Sequence, residues 1–322
     1  MVRKVNTVCG PVDSDKLGGI LCHEHIIWGY PGYQGMTVSK YKFDRNVFFP
    51  RWKAITDKLK TYGIETIVEC TPNDCGRAPE IMKAFSEYAE FNIIIVSGYY
   101  IESLGAPAFF KFRKNQYDCV SDIEELMHEE YYNGIGDTGI KVGALKVSCS
   151  AGEINEYDMM FHEAASRVAS RDKDVRIITH TSAGTCGPEQ AKYFIEHGVD
   201  PRQIAIGHCD MSTDMDYLMN IAETGVYMNF DRFSIMSGGA PQDSRRIACV
   251  AGMIAAGYGD KICISHDAGL AFFGRPEEFP PDGNDLLWID ERIVPAMKKA
   301  GYSDEQIHKL RFENPQAFYG AF

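Results

Sequence analysis

The sequence predicts a single (β/α)8 barrel, one domain over residues 1–322. Two observations carry this. Eight short, near-continuously apolar, β-branched runs recur along the chain, the pattern of parallel strands covered on both faces. A stretch with helical spacing follows each run, so the chain reads strand–helix eight times over 322 residues. The competing architecture, an open doubly wound sheet, calls for a Gly-rich phosphate loop after a strand. None of these strands is followed by G-x-G-x-x-G.

The first strand is "GGILCHEH" at 18–25, and the helix expected over 47–62 carries Phe48, Trp52, Ile55 and Leu59 on one face. Strand two, "IETIVECT" (64–71), leads through "TPNDCG" into a helix at 76–90. Strand three, "NIIIVSGYY" (92–100), precedes a helix at 121–132, where Ser121-Asp122 and Glu124 read as an N-cap signal. Strands "VGALKVSCS" (142–150), "VRIITHTS" (175–182) and "IAIGHCD" (204–210) alternate with helices at 154–171, 187–197 and 213–224. "GVYMNFD" (225–231) and "KICISHDA" (261–268) complete the strands, with helices at 243–257 and 284–300. Gly63, Gly198, Gly225, Gly257 and Gly301 sit where helices should stop. The last twenty residues, "SDEQIHKLRFENPQAFYGAF", read as a terminal helix, an Asn-Pro break and a turn that covers the barrel bottom or edge.

Composition narrows the function. A net charge of −12 offers phosphates no basic stripe, which excludes a nucleic-acid partner. The densest basic run, "FFKFRKNQ" at 109–116, reads as a solvated face. The N-terminus has no apolar core segment, and no run approaches 18 apolar residues, so a cytoplasmic protein without a membrane partner is expected. Among ten cysteines, Cys22, Cys70, Cys149, Cys209 and Cys263 sit in apolar runs and no Cys-x-x-Cys occurs. Reduced core residues are therefore expected rather than disulfides.

A barrel of this kind carries chemistry at the C-terminal ends of its strands. Five of the nine histidines fall in strands: His23, His25, His180, His208 and His266. The other four, His128, His162, His197 and His308, lie in helical segments and read as surface residues. In a strand, residues i and i+2 share a face, so His23 and His25 would project together with Glu24 turned away. Lys146, His180, His208 and Asp267 stand at the ends of strands four, five, six and eight. Such polar residues converging in a barrel mouth are costly unless they are paired or hold a metal, and imidazole with carboxylate suits divalent ions. His23-x-His25 reads as half of a metal site.

"HEH" on strand one, the lysine on strand four, "THT", "IGHCD" and "ISHDA" resemble, in order and spacing, the metal motifs of the phosphotriesterase family of the amidohydrolase superfamily. The resemblance implies a binuclear centre: His23, His25 and Asp267 on one metal, His180 and His208 on the other, and Lys146 bridging as a carbamate. Zinc is the first expectation, with cobalt, manganese or iron as alternatives. His266 is left out of the ligand set, with a packing role. "GVYMNFDRFSI" is similar to the "DRFG" segment of the lactonases in that family, and "GYY" places Tyr100 where those lactonases carry a tyrosine. By that similarity Tyr100 and Arg232 orient the substrate.

Two departures put the substrate in question. The lactonases carry an Arg-Trp pair ahead of the last large helix, whereas this chain reads "FFGRPEEFPPDGNDLLWIDERI". Trp288 falls inside the helical segment, and Glu277, Glu278, Asp282 and Asp285 make the loop acidic. Ser234 replaces the glycine after "DRF". The resemblance thus implies a lactonase with a weak side activity on phosphotriesters and room for a homodimer. A hydroxide between the metals would attack, and Asp267 would carry its proton to the leaving alkoxide. The alternatives are another ester or amide on the same centre, a Schiff-base enzyme using Lys146 as a free amine, or a non-catalytic metal-binding protein.

Overall fold

The eight predicted runs pair in sequence order, because each is buried on both faces and can only stack beside its neighbours. The protein is described here by a computed structural model covering residues 2–36, 43–104, 108–235, 239–274 and 285–320. A hairpin of β1 (Lys4–Thr7) and β2 (Gly10–Asp13), which the sequence reading passed over, precedes the barrel. The barrel strands are β3 (Gly19–Trp28), β4 (Ile64–Glu69), β5 (Asn92–Gly98), β6 (Ala144–Cys149), β7 (Ile177–Thr181), β8 (Ile204–Ile206) and β9 (Tyr227–Phe230). The eighth is in two halves, β10 (Ile262–Ile264) and β11 (Gly269–Phe272). Every pairing in this curled sheet is parallel, and β11 closes it on β3 with Gly269 opposite His25.

Two glycines let the strands approach at the site. A Cβ at Gly98 would lie 1.8 Å from the Lys146 carbonyl oxygen, and one at Gly207 would lie 2.1 Å from that of Thr179. Only glycine fits at either place.

The helices lie outside the sheet, close to their expected spans: Arg45–Thr61, Pro79–Ala89, Cys119–Tyr132, Glu156–Arg171, Gly187–Glu196, Met215–Ala222 and Asp243–Ala255. Phe48, Trp52 and Leu59 of the first face inward and are fully buried. One cap differs from expectation. The third helix starts two residues early, at Cys119, because Asp118 is the N-cap and accepts from the Ser121 N–H at 3.1 Å. Ser121 is therefore a first-turn residue, whose hydroxyl also donates to Asp118.

His162 is a second correction. It is buried on the Glu156–Arg171 helix, with Nδ1 2.8 Å from the Asp158 carbonyl and Nε2 3.0 Å from Gln190 Oε1. The surface reading failed because the neighbouring helix covers it. His128, His197 and His308 are exposed.

The C-terminal segment shows no Asn-Pro break. Helical turns run from Asp304 through a π segment (Lys309–Glu313) into Asn314–Tyr319, with Pro315 just past the π segment. Phe318 and Tyr319 plug the barrel bottom with Ile20, Cys22, Val68 and Cys263. The "FFKFRKNQ" run lies on a short helix (Ala108–Arg113) and beyond, with Phe109 and Phe112 exposed. "GIGDTG" at 134–139 does have the G-x-G-x-x-G spacing, but it forms a turn between a helix and β6 rather than following a strand. Of the acidic loop, Glu277, Glu278 and Asp282 lie outside the described residues, as does the first residue of the helix expected over 284–300; from Ile289 to Lys299 that helix is present.

Candidate metal centre

His23 and His25 reach the barrel interior through an irregularity. Ile20 and Cys22 face the inner core, and strict alternation would then point Glu24 inward and the histidines out. The β3–β4 ladder shifts register between Leu21 and Glu24, which reverses that order. His208 and Asp267 follow the short ends of β8 and β10, each in left-handed backbone, φ 57° and 54°. That conformation costs roughly 1–3 kcal/mol for a residue with a side chain, strain that folds retain mainly at functional sites.

The structure brings the predicted residues together. His25 Nε2 lies 3.1 Å and His23 Nε2 3.7 Å from Asp267 Oδ1. His23 Nε2 is 3.0 Å from Lys146 Nζ, and His208 Nε2 is 2.8 Å from His180 Nδ1. The Tyr100 ring meets the edge of His180 at 5.1 Å between centroids. Arg232 Nε donates to Asp267 Oδ2 at 2.9 Å.

Burial sets the charge states. It lowers His23, His180 and His208, the last to about 3, so all three rings are neutral with a lone pair to offer. Burial also lowers the Lys146 amine. For Asp267 burial works in the opposite sense, but the Arg232 guanidinium and the hydrogen bond with His25 outweigh it and keep the carboxylate ionised. Neutral imidazole nitrogens facing one another beside an ionised carboxylate fit a divalent cation better than a proton.

Among the described residues, two groups of three have ligand atoms within metal-binding reach: His23, His25 and Asp267, and His23, His208 and Asp231. Asp231 is the residue that the sequence reading missed. Its Oδ1 accepts from the backbone N–H and Nδ1 of His208, at 2.8 and 2.7 Å, and its Oδ2 lies 2.7 Å from His23 Nδ1. Both oxygens are engaged on the Nδ1 side, so Asp231 orients the two rings and leaves their Nε2 atoms for the metals. Its position was the available signal, for it ends the seventh strand as the other site residues end theirs.

Other braces surround the centre. Thr71 Oγ1 is 2.9 Å from His25 Nδ1, and Ser182 Oγ is 3.2 Å from His180 Nε2. Glu24 is buried against strand eight and accepts from Ser265 Oγ, His266 N, His266 Nδ1 and Ala268 N, the residues flanking Asp267. His266 points away from the centre, and its Nε2 accepts the Ile289 N–H at 3.0 Å.

A barrel whose strand ends gather four histidines, a lysine and an ionised aspartate around a two-metal site is a metal-dependent hydrolase. Comparison with known proteins makes the class specific. The phosphotriesterase family profile matches residues 3–319, and the chain belongs to that family, within the amidohydrolase superfamily. A phosphotriesterase homology protein of Mycobacterium tuberculosis is 31% identical, over 98% of this chain and 97% of its own. The organophosphorus hydrolase of Deinococcus radiodurans superposes with a TM-score of 0.94 at 37% identity, covering 98% of this chain and 97% of that one. A mutant described as a phosphotriesterase-like lactonase from the same organism gives 0.93 at 36% identity, covering 98% and 100%.

Proposed function

We propose that this hydrolase opens lactones, with phosphotriesters as weaker side substrates. The observation that carries the reading is the placement of Tyr100, half-buried and edge-on to His180 with its backbone N–H held by Asp74 at 3.1 Å. Burial pushes its phenol well above the usual range, so the hydroxyl stays protonated and can donate to a carbonyl or ring oxygen. The Deinococcus relative described as a lactonase supports the same substrate class.

His23, His25 and Asp267 would hold one divalent ion and His180 and His208 the other, zinc in the first instance. Two such ions supply Lewis-acid polarisation and an activated water. Lys146 would serve as a carbamate, since a plain ammonium has no lone pair to give a metal; its lowered basicity favours the free amine that reacts with CO2. Asp267, kept ionised by Arg232, is the acceptor for the proton of the attacking water and can return it to the leaving alkoxide. Arg232 and Tyr100 then flank the substrate.

The proposal extends to a cytoplasmic setting, which nine buried free cysteines suit, and to a homodimer, for which the exposed Phe109, Phe112 and Tyr117 offer apolar surface. No helix among the described residues is long and apolar enough to cross a membrane. The direct test is metal analysis of purified protein, followed by a pH-indicator screen of simple lactones, sugar lactones and paraoxon. Faster turnover of paraoxon than of every lactone tried overturns the substrate assignment.

A further inference from the structure

The start of the last barrel helix is connected to the metal centre by two routes of polar contacts. Arg246, fully buried on the Asp243–Ala255 helix, is the hub of the first. Its Nη1 donates to Asp243 Oδ1 at 2.7 Å, its Nη2 donates to the Ile235 carbonyl at 2.9 Å, and its Nε lies 3.1 Å from Asp210 Oδ2. The two carboxylates hold further groups. Asp210 Oδ2 accepts the Arg232 N–H at 2.9 Å. Asp243 accepts the Ser234 N–H at 3.2 Å on Oδ1 and the Trp288 indole N–H at 2.9 Å on Oδ2. Residues 232–235 are thus pinned at three backbone atoms, and every pin leads to one guanidinium. Ser234 sits among them in left-handed backbone, φ 86°, where glycine would be at ease. The second route runs from the Ile289 N–H to His266 Nε2, and from His266 Nδ1 to Glu24 beside Asp267.

We propose that Arg246 is a positioning residue that sets substrate preference. It holds Arg232 on Asp267 and fixes Trp288, at the end of the loop ahead of the last helix, in the same frame. A guanidinium buried between two carboxylates tolerates few arrangements, since any partner left unpaired in the interior is costly. Its planar fork serves three directions at once, which a lysine ammonium cannot copy. A segment held this way keeps the Arg232 side chain in register with the metal ligands, and small misplacements there matter because catalysis depends on orientation. The inference rests on the proposed substrate-orienting role of Arg232.

The test is a double-mutant cycle of Arg246→Lys and Arg232→Met on metal-loaded protein, with δ-valerolactone and paraoxon as probes. Amide hydrogen exchange is measured on the same variants without metal. Arg246→Lys should lower kcat/KM for the lactone by roughly ten- to a hundredfold. It should also shift the lactone-to-paraoxon ratio and add nothing in the Arg232→Met background. Exchange at residues 232–235 should rise while that of β6 amides stays unchanged. Should Arg246→Lys fail to fold, Asp243→Ala removes the second carboxylate and should loosen the same segment and Trp288. Equal losses in both backgrounds, or faster exchange throughout the barrel, overturn the proposal and leave the lactonase reading standing. An Arg232→Met enzyme with unchanged kinetics overturns this proposal together with the substrate-orienting role of Arg232.

Discussion

Asp231 Oδ1 accepts two hydrogen bonds from His208, one from the backbone N–H at 2.8 Å and one from Nδ1 at 2.7 Å. This fixes the tautomer, so Nε2 carries the lone pair that faces His180. Asp231→Asn keeps the shape but offers only one acceptor oxygen to two histidines. It should weaken metal binding by about 10- to 100-fold, as loss of a ligand-orienting carboxylate usually does. Chelator competition measures this. Wild-type affinity for both ions would remove the orienting role.

His23→Ala with His25→Ala removes two of the three proposed ligands of one metal and leaves His180 and His208 in place. Metal analysis should fall from about two ions per chain to about one, with the barrel still folded and hydrolysis nearly abolished. Full activity in that double variant would sink the binuclear assignment.

Lys146 is buried with its Nζ 3.0 Å from His23 Nε2, too enclosed to act as a surface amine. Lys146→Ala should abolish activity, and short carboxylic acids in the buffer should restore part of it by filling the gap. A high-resolution map with a bare amine beside two fully occupied metals contradicts the carbamate.

Tyr100 is the proposed discriminator between substrate shapes. A lactone is planar at its ester, whereas a phosphotriester presents three substituents to the walls, and a half-buried phenol beside His180 suits the flatter one. For the best lactone, kcat/KM should exceed that for paraoxon by at least about a hundredfold, roughly 2.7 kcal/mol of differential transition-state binding. Tyr100→Phe should lower lactone turnover more than triester turnover. Equal effects on the two would count against a role for the hydroxyl.

Asp74 gives a pH dependence away from the ligands. Burial raises its carboxyl from 3.8 to about 6, although it accepts the Tyr100 N–H. The folded state therefore holds a proton that the unfolded state has released between about pH 4 and 6, and stability falls as pH rises through that window. Above pH 6 the ionised group costs on the order of 3 kcal/mol. Asp74→Asn retains an acceptor for Tyr100 and removes the charge. Urea unfolding should show the variant more stable than wild type at pH 7.5 and equal to it below pH 4. A variant less stable at pH 7.5 reverses the argument.

Local pattern accounts for most of what could be read in advance. Apolar runs of strand length, helical spacing between them and glycines at helix ends are properties of a few adjacent residues, and they define the barrel. A barrel in turn says which end of each strand carries chemistry, so His23, His25, Lys146, His180, His208 and Asp267 could be picked out residue by residue. The Ser121-Asp122 cap and His162 were misread because a cap and a burial each depend on which neighbour is present. Asp118 lay just outside the periodic segment, and the residue covering His162, Gln190, belongs to the next helix.

Tertiary structure alone decided the rest. Alternation carried from Ile20 through Cys22 would have turned His23 and His25 outward, and only the register shift against β4 brings them in. Glu24 looked merely turned away, yet it clamps residues 241 to 244 positions further on. Nothing in the sequence singled out Arg246, around which Asp210, Asp243 and Ile235 close in the folded chain. A sequence can place a charged residue on a strand end or a helix. What that residue pairs with is set when the barrel closes, because a buried charge is stable only beside partners that the fold brings from elsewhere in the chain.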